Sequence, residues 1–237
     1  MVIKVLKQRI SEIWVLLGLS VFAYILGTIL FVIIMAVDKE ATTFEIATLI
    51  EAIAATMVLI ITGSFSFSSD YNMAVGMGAV RKSYIPSYYL VNLTFIFAEY
   101  GIIVISHFIE SAQINMFYSS YEKEAGIEKI LFTEYTIPML LLLSAIQLVA
   151  GCCILKFGKK AFWVMWAAWM VLCIVPGRIS DILEKNPQGK VANMINSMGG
   201  FFQSVSMPVV NVVIVFITVA CLTAAWLMAR RQQVTEV

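Results

Sequence analysis

Residues 14–37 read WVLLGLSVFAYILGTILFVIIMAV, a run of 24 residues without one charged side chain. A helix that crosses the roughly 30 Å hydrocarbon core of a bilayer needs about 20 consecutive, mostly apolar residues. Lipid offers no hydrogen-bond partner to an open backbone, so a run of this length and composition is typical of a transmembrane helix. The stretch therefore predicts an integral membrane protein.

The composition of the whole chain agrees with this prediction. Hydrophobic residues make up 61% of the sequence and charged residues only 13%, whereas a soluble domain carries roughly 25% charged residues. We therefore predict one all-α, polytopic transmembrane domain over residues 1–237, with six transmembrane helices. The six apolar runs cover residues 14–37, 44–67, 88–109, 137–155, 161–177 and 207–229.

Residues 1–13 precede the first run and carry a different pattern. Apolar residues recur there with helical spacing while charged residues cover the opposite face, which is typical of an amphipathic helix lying in the membrane interface. The alternative is a cytoplasmic extension of the first transmembrane helix. The apolar positions are Ile3, Leu6, Ile10 and Ile13.

Two longer connections are predicted on the outer side. Residues 110–136 contain five acids and are expected to form a partly helical cap. The second connection, 178–206, is moderately apolar in its second half but too short to span. We predict short helices there in the outer leaflet, packed between helices five and six, because irregular backbone is tolerated at membrane depth only where protein or water covers it.

Basic residues in the connections set the orientation, because cytoplasmic loops carry an excess of Lys and Arg. Ten of the 16 Lys and Arg residues fall on one side of the predicted helices. Both termini are therefore predicted to be cytoplasmic, in a multi-pass membrane protein. The ten are Lys4, Lys7, Arg9, Arg81, Lys82, Lys156, Lys159, Lys160, Arg230 and Arg231.

Catalytic and metal-binding patterns are missing from the sequence. The four cysteines lie inside apolar runs without a metal-ligand spacing, and the one histidine, His107, adjoins Ser106 at an angle that prevents a dyad. No phosphate-binding loop occurs, so the chain is not expected to be an enzyme or to bind a cofactor or metal. Its net charge of +1 argues against nucleic acid as a partner.

Polar residues inside the predicted helices are more informative. Asn92, Glu99 and Ser106 recur every seven residues, close to one face of the third helix. A charge near mid-membrane costs a few kcal/mol, so Glu99 is expected to face a helix, a second subunit or a water-filled path. We predict Asn92, Glu99, Glu51 and His107 as translocation-path residues. The alternatives for Glu99 are a structural helix contact and proton handling, and for Glu51 and His107 the alternative is simple solvation near the outer face.

The connection between the second and third runs is unusually long. Residues 68–89 read SSDYNMAVGMGAVRKSYIPSYY, with a polar start, glycines, two adjacent cations and Pro86. We predict that residues 69–87 form a cytoplasmic loop containing a short helix that presents a surface to a partner, with Pro86 opening the next membrane helix. The alternative is that Arg81 and Lys82 serve only to fix the orientation.

The stretch MAVGMGAVRKSYI within this segment resembles the cytoplasmic loop of small bacterial ABC-transporter permeases of the type-2 exporter class. Those loops often show Gly-x-x-Arg-Lys/Arg-x-aromatic, which Gly78, Arg81, Lys82 and Tyr84 match. Threonine or serine often precedes the arginine in such loops, whereas this chain has Val80. The motif covers about a dozen residues, and the six-helix architecture extends the resemblance over the chain.

The resemblance implies a division of labour. The chain would form half of a translocation path together with a second copy or a related permease, and a separate cytoplasmic ABC ATPase would bind the ATP and Mg. Contact with that ATPase would run through the predicted loop, with membrane lipid as the other neighbour. The expected cargo is a peptide, such as an antimicrobial peptide, or another amphipathic substrate, and permeases of this kind that move drugs or ions are the alternative. The residues implied in coupling are Gly76, Gly78, Arg81, Lys82 and Tyr84.

Two other classes of membrane protein stay open from the sequence. The first is an ATP-independent solute carrier or the substrate-capturing membrane component of an importer, in which Glu51, His107 and Glu110 would help to line a polar pocket. The second is a structural or sensory membrane protein, which the outer segment 110–136 would permit.

Overall fold

A computed structural model of the chain describes residues 1–37, 42–117, 122–123, 127–185, 189 and 206–230. The described chain is helical apart from two short strands, β1 and β2, which pair in parallel with Thr42 opposite Glu122. The elements in chain order are α1 (Val2–Val37), β1 (Thr42–Thr43), α2 (Ile46–Gly76), α3 (Arg81–Phe117), β2 (Glu122–Lys123), α4 (Glu128–Leu131), α5 (Thr136–Phe157), α6 (Lys159–Lys185) and α7 (Met207–Arg230).

Five of these helices, α1, α2, α3, α5 and α7, are long and apolar enough to cross a membrane. The prediction of a multi-pass, all-α membrane protein is therefore confirmed. The predicted fifth run, 161–177, lies within α6, which is helical throughout. Because only the described residues support the count of five, the sixth crossing stays a prediction.

The first three helices are much longer than a crossing requires. At 1.5 Å per residue, α1, α2 and α3 measure about 54, 46 and 55 Å. By the same rule α5 and α7 measure about 33 and 36 Å, close to the roughly 30 Å of the hydrocarbon core. The first three helices are therefore about 16–25 Å longer than the hydrocarbon core is thick.

Residues 2–13 belong to this extra length. They are the first turns of α1, continuous with the membrane helix, so the separate interfacial helix of the sequence prediction is absent. The buried face also differs from the predicted one, because Val5 and Arg9 point inward while Ile3 is 70% exposed. The reason is that Arg9 finds a carboxylate partner, Asp70, on α2, which the amphipathic pattern of a single helix does not reveal.

The predicted loop at 69–87 is likewise mostly helical. Helix α2 continues to Gly76 and α3 begins at Arg81, which leaves a connection of four residues, 77–80. Gly78 there has a φ of +84°, in the left-handed region that favours glycine. Pro86 lies inside α3 rather than at its start. The sequence prediction was wrong about the extent of this loop.

The predicted outer segments are only partly described. The beginning of 110–136 continues α3 to Phe117, and its later part contains the four-residue helix α4. In the second segment, 178–206, the first residues complete α6. The predicted outer-leaflet helices fall mainly on 186–188 and 190–205, outside the described residues.

One hydrophobic cluster shows which helix ends lie together. Val5, Ala74, Tyr84, Cys152 and Ala229 belong to the same buried cluster. The start of α1, the end of α2, the start of α3, the end of α5 and the end of α7 therefore share one end of the bundle. We call it the basic end, because most of the orientation-setting cations lie there, and we call the opposite end the Glu110 end.

Helices α5 and α7 run parallel to each other. Cys152 Sγ lies 3.6 Å from the Ala225 carbonyl oxygen, and one turn earlier in each helix Leu148 and Leu222 line the same groove. Helix α6 starts at the basic end, immediately after α5. Because α5 and α7 both run toward the basic end, their directions limit the number of membrane crossings between them.

Small residues allow the helices to approach closely. A methyl group added at Gly27 of α1 would lie 2.7 Å from the Ala47 Cα of α2, and one added at Gly151 would lie 2.7 Å from the Phe67 Cβ. Inside lipid, such close backbone packing replaces the hydrophobic effect as a source of helix association. The contact of Gly27 with Ala47 fixes α1 against the start of α2.

Substitution Gly27→Ala tests this contact. The added methyl meets backbone, which cannot rotate away, so we expect the free energy of unfolding to fall by about 1–3 kcal/mol in a detergent unfolding titration. Gly18→Ala in the same helix is the matched control, because nothing lies within 4 Å of its added Cβ. That variant should be neutral or more stable by up to about 1 kcal/mol. Equal losses in both variants would contradict the assigned packing.

Candidate functional site

The predicted polar stripe of α3 faces the interior of the bundle. Asn92, Glu99, Ser106, His107 and Glu110 are all buried. Burial of Glu99 agrees with the cost of exposing a charge to lipid. The stripe does not form one site, because Asn92 and His107 are 15 residues apart, or about 22 Å along the helix.

The first polar group lies near the basic end around Arg9, which is 1% exposed. Its Nε lies 3.3 Å from Glu12 Oε2 and 3.6 Å from Asp70 Oδ2. Its Nη1 donates a hydrogen bond of 3.4 Å to Asn92 Oδ1. The guanidinium carbon lies 4.6 Å from the centre of the Tyr88 ring, within the range of a cation–π interaction. We call these residues the Arg9 cluster.

The Arg9 cluster extends through Asn92 to a fourth helix. Asn92 Nδ2 donates to Gln147 Oε1 at 2.6 Å and to Ser144 Oγ at 3.3 Å, both on α5. On the other side Gln8 donates to Asp70 at 2.9 Å, and the Ser66 hydroxyl donates to Glu12. One hydrogen-bonded network therefore ties α1, α2, α3 and α5 together. This role of Arg9 was not predicted from the sequence, where Arg9 was treated only as one of the cations that set the orientation.

A second polar group lies midway along the bundle. The Ser20 hydroxyl donates to Glu51 Oε1 at 3.3 Å, and the Ser106 hydroxyl also lies beside this carboxyl. Glu99 of α3 lies next to Ser20. We call these four residues the glutamate cluster. In the part of the chain that the structure describes, Glu51 Oε2 and Glu99 Oε2 have no hydrogen-bond partner although both are buried.

The third polar group, at the Glu110 end, caps the start of α2. Glu110 Oε1 accepts the Ala47 N–H at 2.9 Å, and its Oε2 accepts the Thr48 N–H at 2.8 Å and the Thr48 hydroxyl at 2.6 Å. The first N–H groups of a helix have no partner within the helix and carry partial positive charge, so a carboxylate satisfies both needs. His107 Nδ1 lies 2.9 Å from Glu45 Oε2 beside this cap.

The predicted path residues therefore fall into three separate environments. Asn92 belongs to the Arg9 cluster, Glu51 and Glu99 to the glutamate cluster, and His107 to the helix cap. The contact of His107 with Glu45 is a helix–helix contact in this structure. Lining of a translocation path by these four residues stays a prediction.

The turn between α2 and α3 is exposed and apolar at its tip. Met73, Met77 and Val80 are exposed, Met77 to 72%. An added Cβ at Gly76 or Gly78 would meet nothing within 4 Å, so the backbone there is open.

The predicted coupling residues divide into exposed and buried ones. Arg81 is the first residue of α3 and Lys82 is exposed beside it. Tyr84 is fully buried, with ring centres 5.9 Å from Tyr71 and 6.0 Å from Tyr88. Tyr84 is buried because its side chain points about 200° around the helix from exposed Lys82, so it does not offer a surface contact; its role in coupling stays a prediction.

Open grooves lie at the outside of the bundle, away from the charged clusters. One of about 340 Å³ between α2 and α6 is lined almost entirely by apolar side chains such as Met57, Phe65 and Trp166. Another, between α5 and α6, is also apolar. Such surfaces are suited to lipid chains. Among the described residues, no group of three or more His, Cys, Asp or Glu side chains is placed to bind a metal ion.

Comparison of the sequence with protein-family models and with curated proteins finds no match, and comparison of the fold with solved structures finds none either. Function must therefore be inferred from the geometry of this chain.

Truncation of Arg9 tests the Arg9 cluster. Arg9→Ala leaves Asp70 without its cation, and breaking a buried ion pair costs about 3–5 kcal/mol of the free energy of unfolding. The double variant Arg9→Met/Asp70→Asn should recover at least half of that loss, because neither buried charge is then unpaired. An unfolding titration of both variants checks the expectation. Additive losses in the double variant would contradict it.

Truncation of Glu110 tests the helix cap. Glu110→Ala removes the acceptor of three hydrogen bonds and should lower the free energy of unfolding by about 2 kcal/mol. Glu110→Gln keeps one acceptor oxygen, so its free energy of unfolding should lie between those of the wild type and Glu110→Ala. Glu134→Ala, at an exposed glutamate before α5, is the control and should change little. A loss at Glu134 as large as at Glu110 would exclude a specific cap.

Proposed function

We propose that the chain is the membrane-spanning subunit of an ATP-driven exporter and that it contacts a separate cytoplasmic ATPase through the α2–α3 turn. The observation that carries the proposal is the projection of two long helices beyond the membrane into an exposed turn with apolar and cationic side chains. We call residues 73–82 the α2–α3 tip. ATP and Mg would bind to the partner, since this chain has no phosphate-binding loop.

The position of the tip supports this role. Met77 follows Asp70 by seven residues, about 10 Å further along the direction of α2. Asp70 and the Arg9 cluster mark the level at which charges enter the bundle, so Met77 and Val80 lie beyond it, facing water. Large apolar side chains exposed to water are characteristic of a surface that binds a protein partner.

The chemistry of the tip also defines the partner surface. Met73, Met77 and Val80 would fill an apolar cleft, and Arg81 and Lys82 at its edge would face acidic side chains. Membrane lipid with anionic head groups is a second neighbour for the same cations. Tyr84, buried between its aromatic neighbours, would hold the base of the hairpin rigid rather than touch the partner.

The number of crossings and the orientation are part of the proposal. Because α5 and α7 run parallel, the chain between them has to return from the basic end to the Glu110 end. Helix α6 leaves the basic end and has 27 residues, or about 40 Å, which suffices for that sixth crossing. Both termini then lie at the basic end, and the positive-inside rule makes that end cytoplasmic, in a bacterial plasma membrane.

The chain would supply half of the translocation path, with a second copy or a related permease supplying the other half. We propose peptides, including antimicrobial peptides, as the cargo. The second candidate function is an ATP-independent carrier or the capture component of an importer, which the buried carboxyls of Glu51 and Glu99 favour because they offer polar groups without a bound partner.

Copurification with tip variants tests the coupling proposal. The wild-type chain, tagged and extracted from native membranes, should bring ATPase activity together with a protein that carries a phosphate-binding loop. Met77→Asp/Val80→Asp should lower the copurified ATPase activity at least tenfold, because charges then enter an apolar cleft. Its thermal stability should stay unchanged, since both side chains are exposed.

The matched control is Tyr84→Phe, which keeps the buried ring and removes a hydroxyl that has no hydrogen-bond partner among the described residues. It should copurify as much ATPase as the wild type. Recovery of the wild-type chain without an ATPase would contradict the exporter proposal and favour the ATP-independent carrier.

A further inference from the structure

We propose that the glutamate cluster, Ser20, Glu51, Glu99 and Ser106, is a binding site for one small monovalent cation, either a proton or Na⁺. The site lies between α1, α2 and α3 and does not involve the α2–α3 tip. Its existence is therefore independent of the proposed contact with an ATPase.

Four oxygen-bearing side chains from three helices meet at this place. Glu51 is fully buried, Glu99 is 2% exposed, and both serines are buried with them. The Ser20 hydroxyl donates to Glu51 Oε1 at 3.3 Å, which is long for an O–H···O bond and leaves room for a better partner. The helices that carry them are three of the membrane-spanning ones.

Each carboxyl has one oxygen without a partner. In the described part of the chain, Glu51 Oε2 and Glu99 Oε2 accept no hydrogen bond and are shielded from solvent. A buried polar atom that lacks a partner is rare because it loses its hydration without compensation. An ionised carboxylate in that state is far more costly, so the pair needs a bound positive charge. Two helices thus each leave one unsatisfied acid oxygen in the interior, on carboxyls that both lie beside Ser20.

The surroundings supply no cation of their own. The titratable groups that act on Glu51 are Glu99 and Glu110, both on α3 and both acidic. Helix α5 has no charged side chain before Lys156. Among the described residues, no Lys, Arg or His lies within 4 Å of either carboxyl, and the buried Arg9 and His107 are engaged with other acids.

The donor set limits the ligand. It consists of carboxyl and hydroxyl oxygens only. Such oxygens bind hard cations, and a carboxylate also binds a proton to become a carboxylic acid. Glu51 Oε1 already accepts the Ser20 hydroxyl, so the two carboxyl oxygens without a partner are far fewer than the six to eight ligands of Ca²⁺. Glu51 is fully buried and Glu99 is 2% exposed, so the site is shielded from solvent and suits a small ion rather than an organic molecule.

Infrared spectroscopy of the purified full-length chain tests the proposal without depending on stability alone. A proton-filled site should show the carbonyl stretch of buried protonated carboxylic acids, and Glu51→Gln and Glu99→Gln should each remove part of that band. A parallel melting experiment replaces choline chloride by NaCl at constant ionic strength. A Na⁺-filled site should raise the melting temperature by about 4 °C or more in NaCl.

Glu134→Gln, at an exposed position, is the matched control and should leave both readouts unchanged. A band lost in the two variants assigns the site to a proton, and a Na⁺-dependent stabilisation lost in them assigns it to Na⁺. Absence of both signals from the wild-type chain would overturn the proposal. So would signals that persist in Glu51→Gln and Glu99→Gln.

Discussion

The burial of Arg9 is the interaction on which the arrangement of the first three helices depends. A guanidinium cannot be deprotonated in a protein and cannot face lipid, so it must meet acids and acceptors from neighbouring helices. Asp70 and Asn92 satisfy that requirement from α2 and α3, and Gln147 extends the contact to α5. Since each partner occupies one turn of its helix, the cluster sets the register of four helices at once. The Glu110 cap does the same at the other end, where it ties α3 to the start of α2.

These two fixed ends explain the exposed tip and the buried acids together. With α2 and α3 held in register at Asp70 and Asn92, their remaining turns continue past this level and meet at the exposed turn 77–80. Between the two ends, Glu51 and Glu99 are brought into the interior without a cation to accompany them. The first consequence supports a contact with a cytoplasmic partner, and the second supports an ion site within the membrane.

The sequence predicted those features that depend on one helix at a time. Apolar runs located the five spans that the structure describes as membrane-crossing, and the cost of a charge in lipid predicted that Glu99 faces inward. Features that depend on pairs of helices were missed. Arg9 lies in a segment, residues 1–13, whose amphipathic pattern is typical of a helix on a membrane surface. Only the contacts of Arg9 with α2 and α3 show why it is buried. Tyr84 stands in a motif with exposed cations, but packing against Tyr71 and Tyr88 buries it. Residues 69–76 and 81–87 contain polar residues that are typical of a loop. They contain no helix-breaking proline before Pro86, however, so a helix can continue through them.

Photo-crosslinking from the tip in native membranes tests the central claim most directly. A crosslinking amino acid at position 77 should yield one adduct with a cytoplasmic protein that contains a phosphate-binding loop. The same probe at position 105, an exposed apolar site in the membrane-spanning part of α3, should yield none. An adduct at both positions, or no adduct with such a protein at position 77, would contradict the account of the tip as the contact with an ATPase.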